Sequence, residues 1–127
     1  MEILCPVSVG ELLDKISILR IKRKKIANLS KLGQVHKELD VLTRVAAKLN
    51  GFEPFVDELQ NVNQELWDVE DAIRVKERNQ EFDNDFIALA RSVYRLNDQR
   101  FELKNRANEH FGSDIAEQKS YEKFQNG

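Results

Sequence analysis

The strongest constraint in the sequence is an apolar repeat at alternating steps of three and four, present in four separate stretches. The first runs Leu12, Ile16, Leu19, Arg23, Ile26, and the second Leu32, Val35, Leu39, Leu42, Ala46, Leu49. The third runs Phe55, Leu59, Val62, Leu66, Val69, Ile73, and the fourth Phe86, Leu89, Val93, Leu96, Arg100, Leu103, Ala107. Side chains at this spacing fall on one stripe of an α-helix, whereas a strand needs a period of two. Such a stripe is stable in water only when it packs against another helix. The expectation is an all-α fold of two long antiparallel helical hairpins, residues 8–50 and 54–111, forming an elongated four-helix arrangement.

Local signals place the helix ends. Ser8 is an N-cap candidate, Glu11 stands where a capping box returns a carboxylate to the backbone N–H of Ser8, and Val7 and Leu12 occupy staple positions. Residues 27–30 read as a short turn, and Gly33 weakens the start of the second helix by about 1 kcal/mol relative to alanine. Asn50 and Gly51 suit a helix end, and Pro54 suits the first turn of the next helix. Asp83 reads as the N-cap of the fourth helix with Phe82 and Ile87 as its staple, and Gly112 as its left-handed terminator. Before the first helix, Pro6 interrupts an apolar stretch, so residues 1–7 read as an extended arm. Residues 113–124 read as a short C-terminal helix.

A chain of 127 residues can bury one core without disulfides or metal, so the expectation is a single domain, residues 1–127. The net charge of -2 makes no case for nucleic acid or an anionic membrane. Its distribution is uneven: residues 1–50 carry ten basic and five acidic side chains, residues 51–127 ten and seventeen. Opposite halves favour packing on each other. Without a long apolar run or a basic-then-apolar N-terminus, neither a membrane span nor a signal peptide is expected, and a cytoplasmic address follows. The single Cys5 has no intrachain partner. The basic run Arg20, Lys22, Arg23, Lys24, Lys25 sits where cations offset a helix dipole, and no aromatic residues for base stacking lie nearby.

Two Glu–x–x–Asp pairs, Glu11 with Asp14 and Glu65 with Asp68, raise the question of a metal site. All-α nucleoside triphosphate pyrophosphohydrolases hold Mg²⁺ with carboxylates at this spacing on neighbouring helices, which makes a Mg-dependent enzyme of that kind the alternative reading. Both pairs flank the apolar seam, however, and acids in a first helical turn complement the dipole, so the structural reading is preferred. No His has a Glu three residues before it, which excludes a di-iron bundle. No cofactor and no catalytic residue is assigned.

A polar cluster is the more specific feature. If the third and fourth helices turn back near residues 81–82, Asn63 faces Arg100, Trp67 faces Asn97 or Leu96, and Glu70 faces Tyr94 or Val93. Arg100 then sits in an apolar seam and needs an acid, because an unpaired buried charge costs several kcal/mol. Glu65 or Glu70 is the expected partner, and the first hairpin sets Asp14 opposite Arg44. These residues either fix helix register or line a small anionic-ligand pocket with Arg100 and Lys104 as binders and Trp67 as wall.

The blocks "PVSVGELLDKISIL", "VNQELWDVEDAIR", "FIALARSVYRLNDQR" and "GSDIAEQKSY" resemble, over nearly the whole chain, a family of small bacterial and phage proteins of uncharacterised function. The resemblance carries no reaction. It marks Asp14, Lys15, Trp67, Glu70, Asp71, Asn97, Asp98, Arg100, Lys119, Ser120 and Tyr121 as the positions where a site belongs. Residue pattern and resemblance together give a candidate ligand or partner site of Asp14, Lys15, Asn63, Trp67, Glu70, Asp71, Asn97, Arg100 and Lys104. The expected role is a non-enzymatic helical interaction or scaffold module with an unidentified protein partner. A homodimer is expected, joined through Ile18, Ile21, Phe101 and Phe124 or by exchange of the arm.

Overall fold

A computed structural model of the chain describes residues 1–123. It contains four helices in the order α1 (Val9–Lys25), α2 (Leu29–Ala46), α3 (Glu53–Arg78) and α4 (Asn84–Phe111), and no strand among the described residues. The fold is the expected all-α four-helix arrangement. At 1.5 Å per residue, α3 and α4 run about 39 and 42 Å, against about 26 Å for α1.

Most of the end signals operate as read. Ser8 Oγ accepts from the Glu11 N–H at 3.1 Å, Asp83 Oδ1 accepts from the Phe86 N–H at 3.0 Å, and a proline lies in the first turn of α3. Gly112 takes a left-handed φ of 64° at the end of α4, and the Ser113 N–H donates to the Asn108 carbonyl at 2.8 Å, closing a Schellman turn. Two signals differ. Glu11 does not return to Ser8; its carboxylate sits on Lys104 at 2.8 Å. Phe82 and Ile87 are both exposed, and Phe82 instead packs edge-on against Phe86 at 5.3 Å between ring centroids. The second helix begins earlier than its apolar stripe, at Leu29, because Asn28 caps it by accepting from the Lys31 N–H at 3.0 Å.

The core lies where α1 is enclosed. α1 packs against α2, α3 and α4, α3 packs against α4, and α2 returns along α1. Leu13, Ile16 and Leu19 of α1 meet Val35, Leu39 and Ala46 of α2, Val56 and Leu59 of α3, and Ala107 of α4. With three neighbours, α1 buries a face wider than one stripe: Asp14, Ser17 and Ile21 are covered beside Leu13, Ile16 and Leu19, while Glu11 and Lys15 stay exposed. This corrects the single-stripe reading. It also removes Ile21, 1 % exposed, from the expected dimer surface. Ile18 and Phe101 are half-buried, and Phe124 lies outside the described residues.

One close approach sets the angle at which α1 enters. A Cβ on Gly10 would stand 2.4 Å from the carbonyl oxygen of Lys104, so the backbones of α1 and α4 meet there with no room for a side chain. The contact caps the start of α1 from across the chain. The Gly10 N–H donates to Asn108 Oδ1 at 2.6 Å and the Val9 N–H to Ser113 Oγ at 3.0 Å, satisfying two donors that a helix leaves unpaired.

Above this body the hairpin of α3 and α4 continues alone. A second, smaller core of Val62, Leu66 and Leu96 comes from these two helices only, and no residue from Trp67 to Arg95 is buried. Among the described residues, no helix is long and apolar enough to cross a membrane.

The arm, residues 1–7, is without helix or strand and exposed, with Ile3 79 % and Leu4 88 % accessible. The expected short helix at 113–124 is absent over its described part, 113–123. The reason is tertiary: Glu117, Lys119 and Tyr121 all face α4, and residues two apart share a face only in extended chain.

Candidate functional site

α4 presents Asn97, Arg100, Phe101 and Lys104 along one side, at helical spacing. Glu11 from α1 and Glu117, Lys119 and Tyr121 from the C-terminal strap complete an open cleft of about 430 Å³. Arg100 connects this cleft to a buried polar knot. Arg100 donates from Nε to Asp14 Oδ1 at 2.9 Å and from Nη2 to Asp14 Oδ2 at 2.6 Å. Asn63 Nδ2 donates to the same Oδ1 and to Ser17 Oγ, both at 2.8 Å, and Ser17 Oγ donates to the Asp14 carbonyl at 2.6 Å. Asp14, Ser17 and Asn63 are all buried, and no described buried side-chain nitrogen or oxygen lacks a partner. A network this complete holds the Arg100 guanidinium in one orientation.

The cleft wall is equally well paired. Lys104 Nζ lies 2.8 Å from Glu11 and 2.6 Å from Glu117. Burial alone would lower the Lys104 pKa, but the bonds to Glu11 and Glu117 outweigh it and hold the ammonium above its ordinary value. Arg100 is raised by its bonds to Asp14 and further by the nearby charges of Glu11 and Glu117. Lys119 Nζ binds Asp98 at 2.6 Å and stands 5.4 Å from the Phe101 ring centre and 5.5 Å from that of Tyr121, a cation between two aromatic faces.

Of the expected cluster, the structure gathers Asp14, Asn63 and Arg100 at one carboxylate, and Asn97, Arg100 and Lys104 along one cleft. The partner of Arg100 is Asp14, not Glu65 or Glu70, because α1 lays Asp14 against the seam that the hairpin alone was expected to fill. Arg44 is not opposite Asp14; it pairs with Asp40 one turn away on its own helix. Lys15 points to α2 and pairs with Glu38 at 2.9 Å. Trp67, Glu70 and Asp71 stay outside the cleft: Trp67 is half-buried, Glu70 pairs with Arg74 at 3.5 Å, and Asp71 is exposed.

Glu117 is a cleft residue that the pattern did not single out, and Glu11 and Phe101 line the cleft although they were expected in other roles, as cap or metal ligand and as dimer contact. The signal for the strap was the alternation in "EQKSY", which sets Glu117, Lys119 and Tyr121 on one side of an extended segment. Lys119 and Tyr121, marked by the resemblance, do line the cleft, while Ser120 is exposed. The four carboxylates of the metal reading do not converge. Glu11 is held by Lys104 and Asp14 by Arg100, Glu65 is exposed, and Asp68 accepts from Gln64 at 3.2 Å on the surface. Among the described residues, no three His, Cys, Asp or Glu side chains meet where a metal ion could sit.

No curated protein and no solved structure matches the chain. Residues 3–125 match a family described as "Family of unknown function (DUF6165)". That match takes in the α1 entry, the buried Asp14 knot and the strap, and the chain belongs to this family.

Proposed function

We propose that the chain is a non-enzymatic helical interaction module that pairs with a second copy of itself through the distal half of the hairpin of α3 and α4. The observation that carries this reading is the absence of any buried residue from Trp67 to Arg95, although the apolar seam continues through Val69, Ile73, Phe86, Leu89 and Val93. Val75, Phe82, Ile87 and Tyr94 are exposed on the same tip. A two-helix unit with its seam half open to water gains most by closing against another helical pair.

The surface charges favour a copy of this chain as that pair. The α3 flank carries exposed Glu65, Asp68 and Asp71, and the α4 flank carries exposed Arg91 and Arg95. A twofold axis that sets α3 of one copy beside α4 of the other brings these opposite charges together. Sedimentation velocity across a concentration series tests the reading. The expected result is a dimer that Ile87→Asp with Val75→Asp converts to a monomer of unchanged helix content. A wild-type chain that stays monomeric at the highest concentration reached overturns it.

A further inference from the structure

Arg100 uses only one edge of its guanidinium. Asp14 takes Nε–H and one Nη2–H, two of the five donors, and leaves three. Two of those three, on Nη1 and Nη2, form a second parallel fork of the shape that receives a carboxylate. The side chain is 29 % exposed and lines the cleft, so this fork is fixed by a buried acid on one side and accessible on the other.

The charges around it decide what kind of binding is possible. Arg100, Lys104 and Lys119 face four carboxylates, Asp14, Glu11, Glu117 and Asp98. A further anion would face a local excess of negative charge unless one carboxylate left. Asp14 is buried, Glu11 lies in α1 and Asp98 lies in α4. Glu117 alone sits on a segment without helix, among exposed neighbours from Asp114 to Gln118. If it leaves, Lys104 still keeps Glu11 at 2.8 Å.

We propose that this cleft is a binding site for a small carboxylate-bearing molecule, occupied within the chain by the Glu117 carboxylate, which the ligand displaces. The incoming carboxylate bridges the free fork of Arg100 and the vacated side of Lys104, so one carboxylate takes the place of another there. Asn97 adds an amide, and Phe101 and Tyr121 flank the carbon chain. A volume of about 430 Å³ suits a metabolite-sized acid. The strap is therefore both the lid of the site and its internal competitor.

The test is an NMR titration with succinate at constant ionic strength, following the Arg100 Nε–H signal and the backbone amides of residues 115–121, with sodium chloride as control. The expected result is a saturable response confined to these groups, tightened about tenfold by Glu117→Gln, which removes an ion pair of modest strength. Arg100→Lys keeps a cation on Asp14 but has no fork, and should weaken succinate at least tenfold while the circular dichroism stays unchanged. A response that succinate and chloride share, or one that Glu117→Gln leaves unchanged or weakens, overturns the proposal. The cleft residues lie outside the Trp67 to Arg95 tip, so this result does not depend on whether the chain dimerises.

Discussion

Arg100 of α4 and Asp14 of α1 are joined by two parallel hydrogen bonds, 2.9 and 2.6 Å long, across 86 positions of sequence. Asp14 is 1 % exposed and also accepts from Asn63 of α3, so one carboxylate ties together α1, α3 and α4. The pairing runs against the overall charge split of the chain, since the cation comes from its acidic half and the acid from its basic half. Lys104 with Glu11 repeats that reversal, whereas Arg20 with Glu53, 3.0 Å apart, follows the split. Bulk charge therefore predicts the contact of Arg20 with α3 but not those of Asp14 and Glu11 with α4.

Asp14→Asn should be among the most damaging single changes in the molecule. It leaves Arg100 and Asn63 facing a neutral amide, and breaking one side of a buried pair costs about 3 kcal/mol or more. Urea unfolding measures this directly, with Asp14→Leu/Arg100→Leu as the second arm. The double variant should be more stable than the sum of its single variants implies, because neither charge is stranded. Strict additivity would show that the two residues act separately.

The helices were legible because their apolar spacing and their caps agree with each other, as Ser8, Asp83 and Gly112 demonstrate. The convergence of Asn63 and Arg100 was legible from the turn of the second hairpin. Asp14 as their meeting point was not, because the pattern treats α1 as a helix with one partner and it has three. The strap was misread for a related reason. Local propensity favours a helix in "SDIAEQKSYEK", but the ion pairs of Glu117 and Lys119 with α4 reward an extended backbone, and no local rule contains them.

Gly10 and Gly33 should respond in opposite directions to the same substitution. Both lie in helices, where alanine is intrinsically better by about 1 kcal/mol. Gly33 has nothing within 4 Å of a new Cβ, so Gly33→Ala should stabilise by about 0.5–1 kcal/mol. Gly10→Ala would press a methyl group against the Lys104 carbonyl, backbone that cannot step aside, and should destabilise by about 2 kcal/mol or more through separation of α1 from α4. Paired thermal melts decide, and equal shifts for both variants would contradict the close approach.

Stability should fall at alkaline pH, and Lys104 should carry part of that fall. Its folded pKa is raised, so its contribution is complete below the ordinary lysine value of 10.5 and is lost as pH rises through the higher folded value. Lys76 is raised in the same direction by Asp83 and Glu81 at the hairpin turn. Melting temperatures between neutral and strongly alkaline pH should decline more steeply for wild type than for Lys104→Met, and Lys76→Met should remove a separate part of the slope. A Lys104→Met curve parallel to wild type would exclude Lys104 as a source.

Gln80 closes the hairpin with a left-handed φ of 57°, a conformation that costs a residue with a Cβ about 1 kcal/mol relative to glycine. Its N–H donates to the Glu77 carbonyl at 3.1 Å and the Glu81 N–H to the Lys76 carbonyl at 2.9 Å, the Schellman pair that glycine usually completes. Gln80→Gly should therefore stabilise the turn, less the exposed side-chain bond from Gln80 Nε2 to the Glu77 carbonyl at 3.0 Å. The effect belongs to the tip, which has no buried residue and should open before the body does. Hydrogen exchange is the appropriate readout: amides of residues 70–92 should slow about twofold to fivefold in Gln80→Gly, a gain of up to about 1 kcal/mol, while those of α1 stay unchanged. Slowing that reaches α1 equally would mean that tip and body unfold together, and would remove the basis for treating the tip as a separate surface.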